Sequence, residues 1–182
     1  MGAKLVRIFV IAFACLSSGV PPALAAEPPA LDLAGSYALV EAVGVGNNYP
    51  TGWLGSVGWY VNGTWGVVGE FGRSYHTTHT VIGSGLPDLD ATVDNVMGGV
   101  KIRAGGGHRV NPFLQVLLGE ARFANNYSDK SISHLTWQLG GGAEVGMTRS
   151  LAIRLQGDYR FISADGANLK EFRLSTGVVF RR

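Results

Sequence analysis

Residues 151–162 read LAIRLQGDYRFI, and the alternation within this stretch sets the fold class. Leu151, Ile153, Leu155, Tyr159 and Phe161 share one side with Gly157; Arg154, Gln156, Asp158 and Arg160 share the other. Period-two alternation marks a strand, because successive side chains on an extended backbone point to opposite faces. One face here is apolar or glycine along its length, and the other carries four strongly polar groups between Ala152 and Ile162. About 9–11 residues cross a bilayer as a tilted strand, so the stretch is long enough to do so.

The same pattern recurs along the chain. Phe172, Leu174, Thr176, Val178 and Phe180 oppose Arg173, Ser175 and Gly177. Trp137, Leu139, Ala143 and Val145 oppose Gln138, Gly140, Gly142 and Glu144, and Val96, Val100 and Ile102 oppose Asn95, Lys101 and Arg103. Eight strands are predicted, over residues 35–43, 52–61, 65–75, 91–103, 111–123, 135–146, 151–162 and 171–180. Beyond residue 26 no segment offers the ~20 consecutive apolar residues of a spanning helix. The expected fold is all-β, an eight-stranded antiparallel up-and-down transmembrane β-barrel.

The connections alternate in length. Asn62-Gly63 signals a tight hairpin, residues 147–150 form another short turn, and a Gly-rich segment at 104–109 joins strands four and five. The other end carries longer polar loops, at 76–90 and 124–134. Short turns at the periplasmic end and longer loops outside are the habit of membrane barrels. Threading the strands up and down places Trp53, Trp137, Phe161 and Phe172 near the long-loop end. It places Trp59, Trp65, Phe113 and Phe180 near the short-turn end. Two aromatic girdles suit the two interfaces of a bilayer, and a soluble sandwich gives no reason for them. Strand five resists: with Gln115 inside, Glu120 and Arg122 face lipid, and the reverse choice exposes Gln115.

The first 26 residues read as a cleaved secretory signal peptide, leaving a single domain at 27–182. Lys4 and Arg7 open it, an apolar run follows from Leu5 to Leu16, and Ala23-Leu24-Ala25 supplies a cleavage pattern. Cys15, the chain's only cysteine, lies in that run, where the preceding residues make a poor lipid-attachment motif. Fifteen basic and thirteen acidic residues become thirteen of each once Lys4 and Arg7 are removed. That balance gives no basic footprint for nucleic acid.

Three segments carry a family resemblance: WYVNGTWGVVGEFGRS at 59–74, LGGGAEVGMTRSLAIRLQGDYR at 139–160 and FRLSTGVVFR at 172–181. With Gly35-Ser36-Tyr37 they span nearly all of the expected mature chain, which resembles the outer-membrane β-barrel domain proteins, small eight-stranded barrels related to opacity-type porins. The resemblance implies residence among outer-membrane lipid and insertion by the barrel-assembly machinery, which reads a strand ending in an aromatic residue. Here Phe180 is followed by Arg181 and Arg182, a departure from that pattern.

The polar faces place Glu70, Lys101, Arg103, Glu144, Arg154, Asp158, Arg160 and Arg173 inside the barrel. Side chains fill a barrel of eight strands, so these groups are expected to pair as a packing network; a narrow ion path lined by them is the alternative. His76 and His79 lack a third ligand nearby, and neither a metal nor a cofactor is expected. Ser133 and His134, as strand neighbours, should face opposite ways, which argues against an acyl hydrolase. Asn62 and Asn126 open Asn-x-Thr and Asn-x-Ser triplets that read as turn chemistry. The leading expectation is a structural or surface-interaction barrel, with loops 76–90 and 124–134 able to meet an extracellular ligand. A porin-like channel is second, and a soluble periplasmic ligand-binding barrel third.

Overall fold

A computed structural model describes residues 31–42, 48–61, 63–78, 89–104, 109–125, 128–164 and 167–182. The alternating segments become β1 (Leu31–Ala42), β2 (Asn48–Tyr60), β3 (Trp65–Thr78), β4 (Leu89–Arg103), β5 (Val110–Asn125), β6 (Ser128–Gly146), β7 (Leu151–Ala164) and β8 (Ala167–Arg181). Each pairs antiparallel with the next, and β8 pairs with β1 from Asp32↔Arg181 to Ala42↔Glu171, which closes the barrel. The seam is completed by Leu31 N donating to Arg182 O at 3.1 Å and Arg182 N donating to Leu31 O at 3.0 Å. Closure leaves no barrel edge to hydrate, which is what a sheet inside a bilayer requires.

The register fixes the stagger. A row of paired residues runs Leu31, Trp59, Val67, Val100, Val116, Leu139, Tyr159, Phe172 and returns at Glu41, ten residues further along β1. Such a stagger goes with strands tilted roughly 35–45° from the barrel axis. Each row therefore climbs toward the long-loop end as it passes from β1 to β8.

Several strands outrun their predicted lengths at that end. β6 has 19 residues and begins at Ser128, and β5 has 16 and ends at Asn125. The segment expected to be a loop at 124–134 is thus mostly a raised β5–β6 hairpin, with Asn125 paired to Ser128. Its polar composition reads as loop in the sequence, yet ladder pairing needs only backbone groups and tolerates polar side chains above the membrane. Of the other predicted loop, Thr77 and Thr78 belong to β3 and pair with Asp90 and Leu89 of β4. His79, Asn62, Asn126 and the proposed signal peptide lie outside the described residues.

The outer wall is apolar where it must meet lipid. Leu33, Val57, Val67, Val100, Val116, Leu139, Leu155 and Val178 all project outward and stand exposed. Small residues admit large neighbours on this surface: the Phe71 ring lies where a Cβ on Gly55 would have to sit. Val116 is 49% exposed and lies between Val100 and Leu139 in the middle of the wall. Val116→Arg is expected to cost about 2–4 kcal/mol, the penalty for an arginine at the bilayer midplane. The urea midpoint of barrels refolded in lipid vesicles checks this, and an unshifted midpoint would contradict the membrane-facing assignment.

Candidate functional site

The barrel interior holds the protein's concentration of chemistry, and it is filled. Buried inward-facing groups include five carboxylates, Asp32, Glu70, Glu144, Asp158 and Glu171, and five cations, Lys101, Arg103, Arg154, Arg160 and Arg173. They stand at even positions on β1, β3, β6 and β7 and at odd positions on β4 and β8, the parity that alternation imposes. All eight charges read from the sequence point inward. Asp32, Glu171 and Arg181, which alternation alone does not single out, join the same network. Glu171 carries a usable signal, because it stands two residues before Arg173 and so shares its face.

The ion pairs form two layers. The upper one, toward the long-loop end, centres on Arg173 of β8. Its Nη2 donates to Asp158 Oδ2 at 2.7 Å and also to Glu70 Oε1, while its Nε donates to Asp158 Oδ2 at 3.0 Å. Arg160 Nη1 donates to Glu171 Oε2 at 3.2 Å and to Asn95 Oδ1 at 3.0 Å. Gln156 Nε2 donates to Asp158 Oδ2 at 2.9 Å. Gly140 makes room for this layer, since a Cβ there would collide with Asp158 Oδ1.

The lower layer, toward the short turns, centres on Glu144 of β6. Lys101 Nζ donates to its Oε1 at 2.7 Å, Arg154 Nε donates to the same oxygen at 3.0 Å, and Arg181 Nη2 donates to Oε2. Arg154 Nη1 also donates to Ser56 Oγ at 2.9 Å. Arg103 meets Asp32 only at 3.5 Å and lies 3.9 Å over the Tyr60 ring.

Phe113 belongs to this lower layer. It was expected in the short-turn girdle, but it is buried inside the barrel, with Lys101 Nζ 4.0 Å over its ring. An aromatic face offsets part of the desolvation of a buried cation, so the ring is held inward. Phe113 shares the inner side of β5 with Gln115, Leu117 and Ala121. That settles strand five, whose Glu120 and Arg122 face out. The climb of the rows explains why this is tolerable: Trp53, Arg73, Asp94 and Arg122 pair in one row that rises across β2 to β5. Arg73 and Asp94 form a two-pronged ion pair on the outer face, with Arg73 Nη2 donating to Asp94 Oδ2 at 2.8 Å. The outward charges Arg73, Asp94 and Arg122 thus gather in one row level with Trp53, and Glu120 stands below it between Val96 and Leu135.

The other girdle residues face outward. Trp53, Trp59, Trp65, Trp137 and Phe180 are exposed, while Phe161 and Phe172 are half-buried. Trp137 stacks on Phe161 with centroids 4.0 Å apart, and Trp53 meets Phe71 edge-on at 5.8 Å.

The interior also contains apolar clusters that alternation alone does not distinguish from lipid-facing residues. Val68, Met97 and Leu117 line the wall of β3, β4 and β5. Val93, Ala121 and Ile162, backed by Phe123 and Leu169, fill the upper mouth. Glu144, Gln138 and Gln156 expose no area to solvent. Two grooves, lined by Leu33, Val57, Phe71 and Phe180 and by Leu39, Leu155 and Leu174 among others, open on the outer wall. Ser133 is exposed on the outer face, whereas His134 packs edge-on to Phe123. The described residues hold no cluster of three or more metal-ligating side chains.

A family model for the outer membrane protein beta-barrel domain matches residues 11–181. Neisserial surface protein A superposes with a TM-score of 0.63 at 13% identity, over 84% of this chain and 96% of that one. Ail, the attachment invasion locus protein of Yersinia pestis, in a phospholipid bilayer nanodisc gives 0.54 at 21% identity, over 84% and 99%. OprG, an outer membrane protein of Pseudomonas aeruginosa, gives 0.54 at 10%, over 87% and 98%. No curated protein sequence matches the chain. At these identities the superpositions establish the shared fold alone.

Proposed function

Because the chain belongs to the outer membrane protein beta-barrel domain family and resides in the bacterial outer membrane, we propose that it is a sealed scaffold whose work is done at its extracellular end. The observation that carries this is the packed interior, where ion pairs gathered on Glu144 and Arg173 cross the barrel. A rigid wall with a plugged lumen has its free surface in the loops and raised strands, where binding residues usually sit.

The raised β5–β6 hairpin and the connection between β3 and β4 are the surfaces offered to an extracellular partner or to neighbouring envelope components. The similar barrel Ail is an attachment invasion locus protein, which makes adhesion the first activity to assay. Residues 1–26 act on this reading as the export signal, and the assembly machinery inserts the barrel through its closing strand, β8.

Planar-bilayer recording of the refolded protein tests the sealed scaffold. The expected result is no reproducible channel events, together with surface binding that disappears when residues 126–127 are replaced by an unrelated longer insert. Stable unitary conductance would overturn the scaffold and transfer the function to a pore.

A further inference from the structure

The two interior layers are not equally balanced in charge. The upper layer sets Arg160 and Arg173 against Glu70, Asp158 and Glu171. The lower layer sets Lys101, Arg103, Arg154 and Arg181 against Glu144 and Asp32, so cations outnumber the described carboxylates by two. Glu144 alone receives three of the four. Arg103 is left with the weakest contact, although it is only 1% exposed. Its Nε and Nη2 have no hydrogen-bond partner, and neither does Arg181 Nε.

These unpartnered donors have a definite shape. Nε and Nη2 lie on one edge of a guanidinium, and together they present the parallel pair of N–H groups that grips two oxygens of one anion. The Tyr60 hydroxyl, also buried without a partner, belongs to the ring that lies under Arg103. An aromatic face offsets part of the desolvation of a cation but supplies no countercharge. Buried charges persist where they are matched, and a confined surplus of one sign draws the opposite ion.

We infer that the periplasmic mouth of the barrel is an anion-binding site. It takes a small oxyanion, phosphate or carboxylate, on the free edge of Arg103, with Arg181 and the cations around Glu144 behind it. This goes beyond the scaffold reading and concerns the opposite end of the molecule. The oxyanion has two sources, a free periplasmic anion or a carboxylate of the chain itself. Glu27 stands four residues before Leu31, within about 14 Å of extended chain.

The test uses the refolded full barrel in maltoside micelles at constant ionic strength, with inorganic phosphate as the probe and its ³¹P linewidth as the readout. Saturable broadening is expected for the wild type. It should fall at least tenfold in D32N/R103Q, a variant that removes one charge of each sign and so keeps the layer's balance. It should persist in R149Q, which removes an exposed arginine of the β6–β7 turn. If the wild type is silent and Glu27→Gln becomes responsive, the chain's own carboxylate is the occupant. Silence in both would overturn the site, as would broadening that R149Q loses and D32N/R103Q keeps. Because the barrel's folding is checked separately by its heat-shifted electrophoretic mobility, a negative result does not bear on the scaffold.

Discussion

Replacing Glu144 with alanine is expected to destabilise the barrel by about 3–5 kcal/mol, the range for removing one partner of a buried charge pair. The cost arises from what remains. Lys101, Arg154 and Arg181 all donate to the two oxygens of this one carboxylate, so its loss strands three cations at once. Phe113 lies under two of them and cannot replace a negative charge. Glu144→Gln should cost less, since the amide oxygen still accepts hydrogen bonds. Adding Lys101→Met to E144A should recover part of the loss, because it removes one stranded charge and leaves an apolar chain beside Phe113. The urea midpoint in lipid vesicles reports all three variants. An unchanged midpoint for E144A would mean that the lower layer is solvated and does not hold the barrel.

How much of this could be read in the sequence depends on what alternation encodes. Residues 151–162 revealed both faces of β7 because every outward position there is apolar or glycine, and Arg154, Gln156, Asp158 and Arg160 all point in. β5 was ambiguous for a physical reason: Phe113 and Leu117 face inward while Leu114, Val116 and Leu118 face outward, so both sides look apolar. The deciding information is the charge on its neighbours. Lys101 of the neighbouring β4 and Arg154 of β7 both lie over the Phe113 ring, and only the barrel brings Arg154 to it. Partner choice was hidden for the same reason. Arg173 and Glu70 are 103 positions apart and meet through the stagger and closure of the sheet, not through any local motif. The hairpin above the membrane was hidden by its polarity, since residues such as Ser131 and Ser133 neither alternate strongly nor contain a turn dipeptide.

The upper layer should respond to the loss of its cation in a way that identifies the layer as a paired unit. Arg173 is fully enclosed and donates to both Glu70 and Asp158, which it holds together across the barrel. Arg173→Met keeps a similar stem but leaves these two carboxylates facing each other in a low-dielectric interior. The predicted cost is again about 3–5 kcal/mol, with like-charge repulsion adding to the missing partner. Gln138 and Gln156 can donate hydrogen bonds to the stranded carboxylates, yet neither brings a charge. Neutralising one acid, in E70Q/R173M, should therefore restore part of the stability, and neutralising both, in E70Q/D158N/R173M, most of it. A buried ion set replaced whole by neutral groups of similar volume is often tolerated, whereas one broken by half is not. The order of urea midpoints is the decisive measurement: wild type and the triple variant close together, the double variant below them, and R173M lowest. If the triple variant were no more stable than R173M, Arg173 would be acting through its packing volume and not through its charge.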